Sequence, residues 1–307
     1  MSLKKIIGVA SVATLFGVSM YGMGCSSATT IGNILDSGPT RDTSLPDNNV
    51  PSFDSGGDTG GGDSGASCSP LTLTNFTPVT ITAMNNPVCT HDQIVKAVAE
   101  CFNNATATNA TCTAYLAVPA NKTCLLSCMI SPYLTKNGKG AAFSGNPVPP
   151  ANGPWGSLIE VANPGVVGDF FNIGGCIQLA DPAQADCGAK VNAQFQCEVS
   201  ACGGNCPVPS VQGTPNAQQQ AAITAAQNAF QSCVTAADAA TCKPFADAST
   251  TCLNTFPDGG GAASLCLNGD LGSNDPTISD AAFIKLADLF CGGADGGTTP
   301  PSDSGAD

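Results

Sequence analysis

Cysteine carries most of the chemistry this chain could do: 17 of its 307 residues are Cys, against one His, one Trp and three Tyr. Cys124 with Cys128, and Cys202 with Cys206, stand one helical turn apart, a spacing that suits zinc if the thiols persist. In an oxidising compartment such thiols pair instead, so disulfides rather than a metal are expected wherever the chain is exported. No Cys-x-x-Cys occurs, which excludes a thioredoxin-type redox pair and a Cys-x-x-Cys-His haem attachment.

His91 is the only candidate for a histidine general base, and multi-His metal centres are excluded. Its neighbour Asp92 would point about 100° away on a helix and could not orient the ring, and no Gly-x-Ser-x-Gly elbow accompanies it. The expectation for His91 is a solvated residue in the first turn of a helix. Glu160, Asp169, Asp181, Asp186 and Glu198 are the carboxylates that could meet in space for acid and base work, although nothing in the sequence marks two of them. The stretch Lys136 to Pro154 is long and irregular and runs into Trp155. Lys136, Lys139, Phe143 and Trp155 are therefore the candidate binding residues, against the simpler expectation that Trp155 is a buried anchor. Asn75, Asn104, Asn109 and Asn121 open Asn-x-Thr sequons, read as coincidence in an Asn- and Thr-rich chain.

The compartment is legible at the N-terminus. Lys4 and Lys5 precede an apolar run from Ile6 to Tyr21, and the small residues Gly22-Met23-Gly24 then lead to Cys25. Residues 1–24 read as a cleaved signal peptide. Gly22-Met23-Gly24-Cys25 resembles the lipobox of bacterial lipoproteins, in which a diacylglycerol is attached to the Cys sulfur. Gly22 departs from the aliphatic residue usual there. Parity agrees with lipid on Cys25, because 16 cysteines remain, an even set for disulfides. Ser26 stands where inner-membrane lipoproteins usually carry Asp, so the resemblance implies sorting to the outer membrane or cell surface. Acyl chains are then the membrane contact.

Without Lys4 and Lys5 the mature chain has 8 basic residues against 23 acidic ones, a net charge of −15. Such a surface repels nucleic acid and anionic lipid alike. Residues 25–67 comprise the lipidated Cys and an acidic Gly/Ser/Asp linker expected to be disordered. Its Asp54, Asp58 and Asp63 lack the alternating acids and closing Glu of a calcium loop. Residues 292–307 form a tail of similar composition, which leaves 68–291 as the folded body.

That body reads as mainly α, with disulfide-stapled helical hairpins and one small N-terminal β-hairpin. Leu71-Thr72-Leu73-Thr74 and Val79-Thr80-Ile81-Thr82 alternate around Asn75-Phe76-Thr77-Pro78 as the β-hairpin, and everything strongly periodic afterwards is expected to be helical. Thr90 with Gln93 starts a helix that faces inward with Ile94, Val95, Val98, Cys101 and Phe102. Cys187, Val191, Phe195, Val199 and Cys202 form a second stripe. A third helix runs from about Pro215 to Ala237, with Ile223, Ala226, Phe230, Cys233 and Val234 inward. The last helix follows Thr277, with Asp280 as cap partner, and buries Ala282, Phe283, Leu286, Leu289 and Phe290.

The segments 101–124, 176–197 and 233–252 share a pattern of Cys, a short Ala-rich stretch, Cys, and a third Cys nine to eleven residues on. They suggest three helical-hairpin repeats over 89–128, 166–206 and 215–252. Eleven residues separate Cys89 from Cys101 and another eleven separate Cys112 from Cys124, so the antiparallel arms match. This predicts bridges Cys89–Cys124 and Cys101–Cys112 and, by analogy, Cys176–Cys187 and Cys233–Cys242. The nesting is similar in layout to twin Cys-x9-Cys hairpins of mitochondrial proteins. The other eight cysteines of the body stay open at 105 connectivities. In its signal, Cys25 and linker specifically, and in its core only in style, the chain resembles cysteine-rich lipoproteins of Gram-negative bacteria, which implies a tethered structural or protein-interaction module with no cofactor, facing an envelope or extracellular protein. The alternatives are a secreted hydrolase using paired carboxylates and a substrate-binding lipoprotein, whose alternating strands and helices this sequence lacks.

Overall fold

The computed structural model describes residues 68–102, 106–132, 154–163, 166–203, 206, 217–257, 260–267, 269–272 and 276–292. The signal segment, Cys25, the linker, Lys136, Lys139 and Phe143 lie outside these residues. So does the expected tail, apart from Gly292.

The described chain is mainly helical with one small sheet. Thr90 caps α1 (His91–Ala97): its hydroxyl accepts from the Gln93 amide, and the Gln93 side chain accepts from the Thr90 amide. A π-helical turn (Val98–Phe102) follows. Then come α2 (Asn109–Leu116), α3 (Pro119–Cys124) and a second π turn (Leu125–Met129). Of the α1 stripe, Ile94, Val98, Cys101 and Phe102 are buried, whereas Val95 turns outward at 37% exposure. Cys89 is bonded to Cys124 and Cys101 to Cys112, the two pairs expected of the first unit.

The sheet corrects the expectation that everything strongly periodic after residue 82 is helical. Strand β1 (Ile130–Pro132) lies parallel to β2 (Leu158–Asn163), which pairs antiparallel with β3 (Val166–Phe171). Val and Ile flanking Pro164-Gly165 are what a hairpin requires. The second expected repeat therefore opens as a strand, and its helix α4 (Ile173–Ala180) starts only after Asn172, whose side chain caps Gly175.

Helix α5 (Ala185–Cys202) is the spine of the body. It packs against α4, α6 (Ala217–Ala239) and α7 (Lys243–Leu253), and from Gln194 to Cys202 every residue is buried. Against α4 the helices meet at glycine: a Cβ on Gly174 would run into the Gly188 carbonyl oxygen, and one on Gly188 into that of Gly174. No disulfide occupies that contact. The expected Cys176–Cys187 and Cys233–Cys242 bridges are wrong for this reason, since the α5 cysteines face the next pair of helices instead. Cys187 joins Cys252, Cys197 joins Cys242 and Cys202 joins Cys233, while Cys176 reaches Cys266 on α8 (Ser264–Leu267). Analogy with the first unit fails because arms of 8 and 18 residues do not bring matching ends together.

Helix α9 (Pro276–Cys291) closes the body through Cys128–Cys291 and buries Ala282, Phe283, Leu286 and Phe290. Thr277 sits inside this helix and is not its cap. Cys68–Cys206 is the eighth bridge.

The segment 71–82 alternates as expected but forms no hairpin, and side chains stand in for much of a partner strand. The Gln196 amide accepts from Val79 N–H at 3.0 Å and donates to Val79 C=O at 2.9 Å. Gln178 likewise accepts from Ala83 N–H and donates to Ile81 C=O. A carboxamide offers the same donor and acceptor as a peptide group, so two helical glutamines replace the neighbouring strand. Beyond them, Trp155 donates its backbone N–H to Thr82 C=O, and its own C=O accepts from Met84 N–H.

Candidate functional site

On α5 the positions three to four apart, Val191, Gln194, Phe195, Glu198 and Cys202, fall on one face. On α6 the inward face holds Ile223, Gln227, Phe230 and Val234, and the same spacing continues to Asp238. Two apolar stripes thus each carry one carboxyl, and packing α5 on α6 brings Glu198 and Asp238 together. Gln194 Nε2 donates to Glu198 Oε1 at 2.7 Å and to Asp238 Oδ2 at 2.9 Å. The two carboxyls also hydrogen-bond to each other. The disulfides Cys197–Cys242 and Cys202–Cys233 hold the helices on either side.

Glu198 is 2% exposed. Burial pushes its carboxyl well above the usual range, and the nearby charge of Asp238 adds to this. Asp238, half-buried, is pushed up to about 6 by burial, with the hydrogen bonds from Glu198 and Gln194 opposing the rise. Glu198 therefore keeps the proton and donates it to the Asp238 carboxylate. Among the described residues the lysine ion pairs lie elsewhere: Lys190 binds Asp186, Lys243 binds Asp247 and Lys96 binds Glu100.

This pair holds one proton inside the fold, and its geometry does not suit attack on a substrate. Glycoside hydrolysis requires two carboxyls about 5–9 Å apart across a substrate. Here both carboxyls accept from the one Gln194 nitrogen, at 2.7 and 2.9 Å, and Glu198 is buried between α5 and α6. Compared with known proteins, the chain matches no family model, no curated protein and no solved structure.

Of the five carboxylates expected from sequence, only Glu198 enters this cluster. Asp186 is exposed on Lys190 and Asp181 is half-buried before the start of α5. Glu160 and Asp169 are register partners on β2 and β3. Asp238 was missed, although it is the one acid of α6 and continues that helix's inward spacing.

Trp155 is fully buried, edge-on to Phe195 at 6.2 Å, so it is a core anchor and not a ligand platform. His91 meets Asp288 across α1 and α9 at 2.8 Å while half exposed. Buried Asn121 accepts from Gln93 Nε2, which leaves no room for a glycan there. Cys124, Cys128, Cys202 and Cys206 all sit in disulfides and offer no thiolate to zinc. No helix of the described residues is long and apolar enough to cross a membrane.

Proposed function

We propose that this chain is a cell-envelope lipoprotein, tethered through lipid on Cys25 to the outer membrane or cell surface, whose cross-linked helical body serves as a non-enzymatic structural or protein-interaction module. One observation carries the tether: eight bridges consume every cysteine from Cys68 to Cys291, and the single cysteine outside them is Cys25, at the lipobox-like junction. Bridges of this number belong to an oxidising compartment. In this reading the partner is an envelope or extracellular protein met by a strongly acidic surface, and the linker 26–67 holds the body off the membrane. The stapled hairpins keep it rigid in an oxidising space.

The test is expression of the full chain in a Gram-negative host fed an alkyne fatty acid. The expected result is label on the wild type, recovery with outer membranes, and loss of both in Cys25→Ser. Mass spectrometry finding an unmodified Cys25 at the mature terminus would refute the tether.

A secreted hydrolase using paired carboxyls has the Glu198–Asp238 contact in its favour. The burial of Glu198 opposes it, since a substrate has no access to a carboxyl that is 2% exposed between packed helices.

A further inference from the structure

Two of the eight bridges are neighbours in space. Cys68–Cys206 ties the start of the folded body to a residue one helical turn past the end of α5, and Cys202–Cys233 ties the last turn of α5 to α6. The Sγ atoms of Cys68, Cys206 and Cys233 all lie within 4.8 Å of one another. Cys206 follows Cys202 by one helical turn, its amide donating to the Cys202 carbonyl at 3.1 Å. Access is graded. Cys68 is half-buried, whereas Cys206, Cys233 and Cys202 are 2%, 1% and 0% exposed.

We propose that these two bridges form a thiol–disulfide exchange site, whose substrate is an external dithiol entering at Cys68 and whose internal step passes the opening from Cys206 to Cys202. A thiolate reacts with a disulfide at the sulfur it can reach, and its attack breaks that bond and expels the other sulfur. The reachable sulfur is Cys68. Attack there forms a mixed disulfide with Cys68, breaks Cys68–Cys206 and leaves Cys206 as a thiolate. That thiolate is confined beside Cys233 Sγ. Its attack forms Cys206–Cys233, breaks Cys202–Cys233 and leaves Cys202 as a thiolate, which takes a proton from water. The second thiol of the dithiol then displaces Cys68, which leaves as a thiol, and the dithiol departs as a disulfide. Two electrons have moved: one dithiol is oxidised and one protein disulfide is reduced.

The outcome differs from simple opening of one bridge. The tie between the end of α5 and α6 survives, because Cys206 replaces Cys202 in it and closes a loop of nearly the same length. What is released is the covalent hold on Cys68, where the linker meets the body. The site therefore frees the tether end of the body while the helices that enclose Glu198 and Asp238 stay cross-linked.

The test uses the oxidised full chain at pH 8 with limiting dithiothreitol, an N-ethylmaleimide quench and peptide mapping. The expected first labels fall on Cys68 and Cys202, together with a new Cys206–Cys233 peptide. Labels on Cys68 and Cys206 with Cys202–Cys233 intact would overturn the relay. First labels in any other bridge, or no thiol released before the chain unfolds, would overturn the site itself. Cys68→Ser supplies a second measurement that needs no reductant. Its unpaired Cys206 should exchange with the neighbouring bridge and divide the label between Cys206 and Cys202, and label confined to Cys206 would exclude the exchange.

Discussion

Replacing Glu198 by Gln isolates the buried proton. The wild-type carboxyl accepts from Gln194 and donates to Asp238, and a glutamine amide can make the same two bonds without titrating. Both folded carboxyls bind protons more tightly than unfolded ones, so unfolding releases protons and stability falls as pH rises. The sign is fixed by these directions: the contribution is complete below the ordinary carboxyl range. It is lost as pH climbs through about 6 for Asp238, and the raised Glu198 carboxyl acts in the same direction. Asp238 moves from 3.8 to about 6, which at 1.36 kcal/mol per unit caps its part near roughly 3 kcal/mol. Solvent at its half-buried side reduces this to roughly 1–2 kcal/mol. Fully buried Glu198 adds in the same direction. The Glu198→Gln variant should match the wild type near pH 4 and exceed it by at least about 1 kcal/mol at pH 8, read from urea midpoints with the disulfides intact. Taking the difference between the two proteins cancels every other titrating group, Asp238 included, so its roughly 1–2 kcal/mol serves only as the scale for the more deeply buried Glu198. Curves that stay parallel from pH 4 to 8, or a variant that loses ground as pH rises, would refute the shared proton.

Gly188→Ala drives a Cβ into the Gly174 carbonyl and should cost roughly 1–3 kcal/mol by forcing α4 off α5, visible as a lower urea midpoint. Gln196→Ala strips Val79 of both backbone partners, so the Val79 amide should lose protection from hydrogen exchange and stability should fall by roughly 1–3 kcal/mol. Trp155→Ala empties a fully buried site beside Phe195, at a cost of roughly 3–5 kcal/mol in thermal or chemical unfolding.

Features set by local spacing were legible in the sequence. The Thr90–Gln93 capping box depends on residues three apart, and the matched intervals around Cys89, Cys101, Cys112 and Cys124 name partners because both arms are short and adjacent. The α5 stripe of Cys187, Val191, Phe195, Val199 and Cys202 is buried throughout. Pairing of the later cysteines was not legible, since it turns on which helix lies against which face of α5, and Gly174 and Gly188 decide that by letting α4 take one side without a bridge. The segment 71–82 shows the same limit in another form: its alternation is real, but alternation cannot say whether the neighbour is a strand or a row of glutamines. Asp238 could have been found by carrying the α6 inward face one step past Val234, a step that assumes a carboxyl never continues an apolar stripe unless something answers it.

What answers Asp238 is another acid, and such a contact survives only where the surroundings permit its cost. Aromatic residues make up 6% of this chain, so its core gains little from large apolar side chains. Each disulfide contributes roughly 2–4 kcal/mol by restricting the unfolded chain. Three of them run from α5 to the segment holding α6 and α7, two of these beside the carboxyl pair. With the helices joined covalently, inward positions on α5 need not all be apolar, and Gln194, Gln196, Glu198 and Ser200 are buried there without the body coming apart. Gln196 spends that freedom on holding the 71–82 segment, and Gln194 and Glu198 spend it on holding a proton. Cross-linking and the polar interior are therefore one design, and reduction of the α5 bridges and ionisation of the pair should act on the same contact, the packing of α5 against α6.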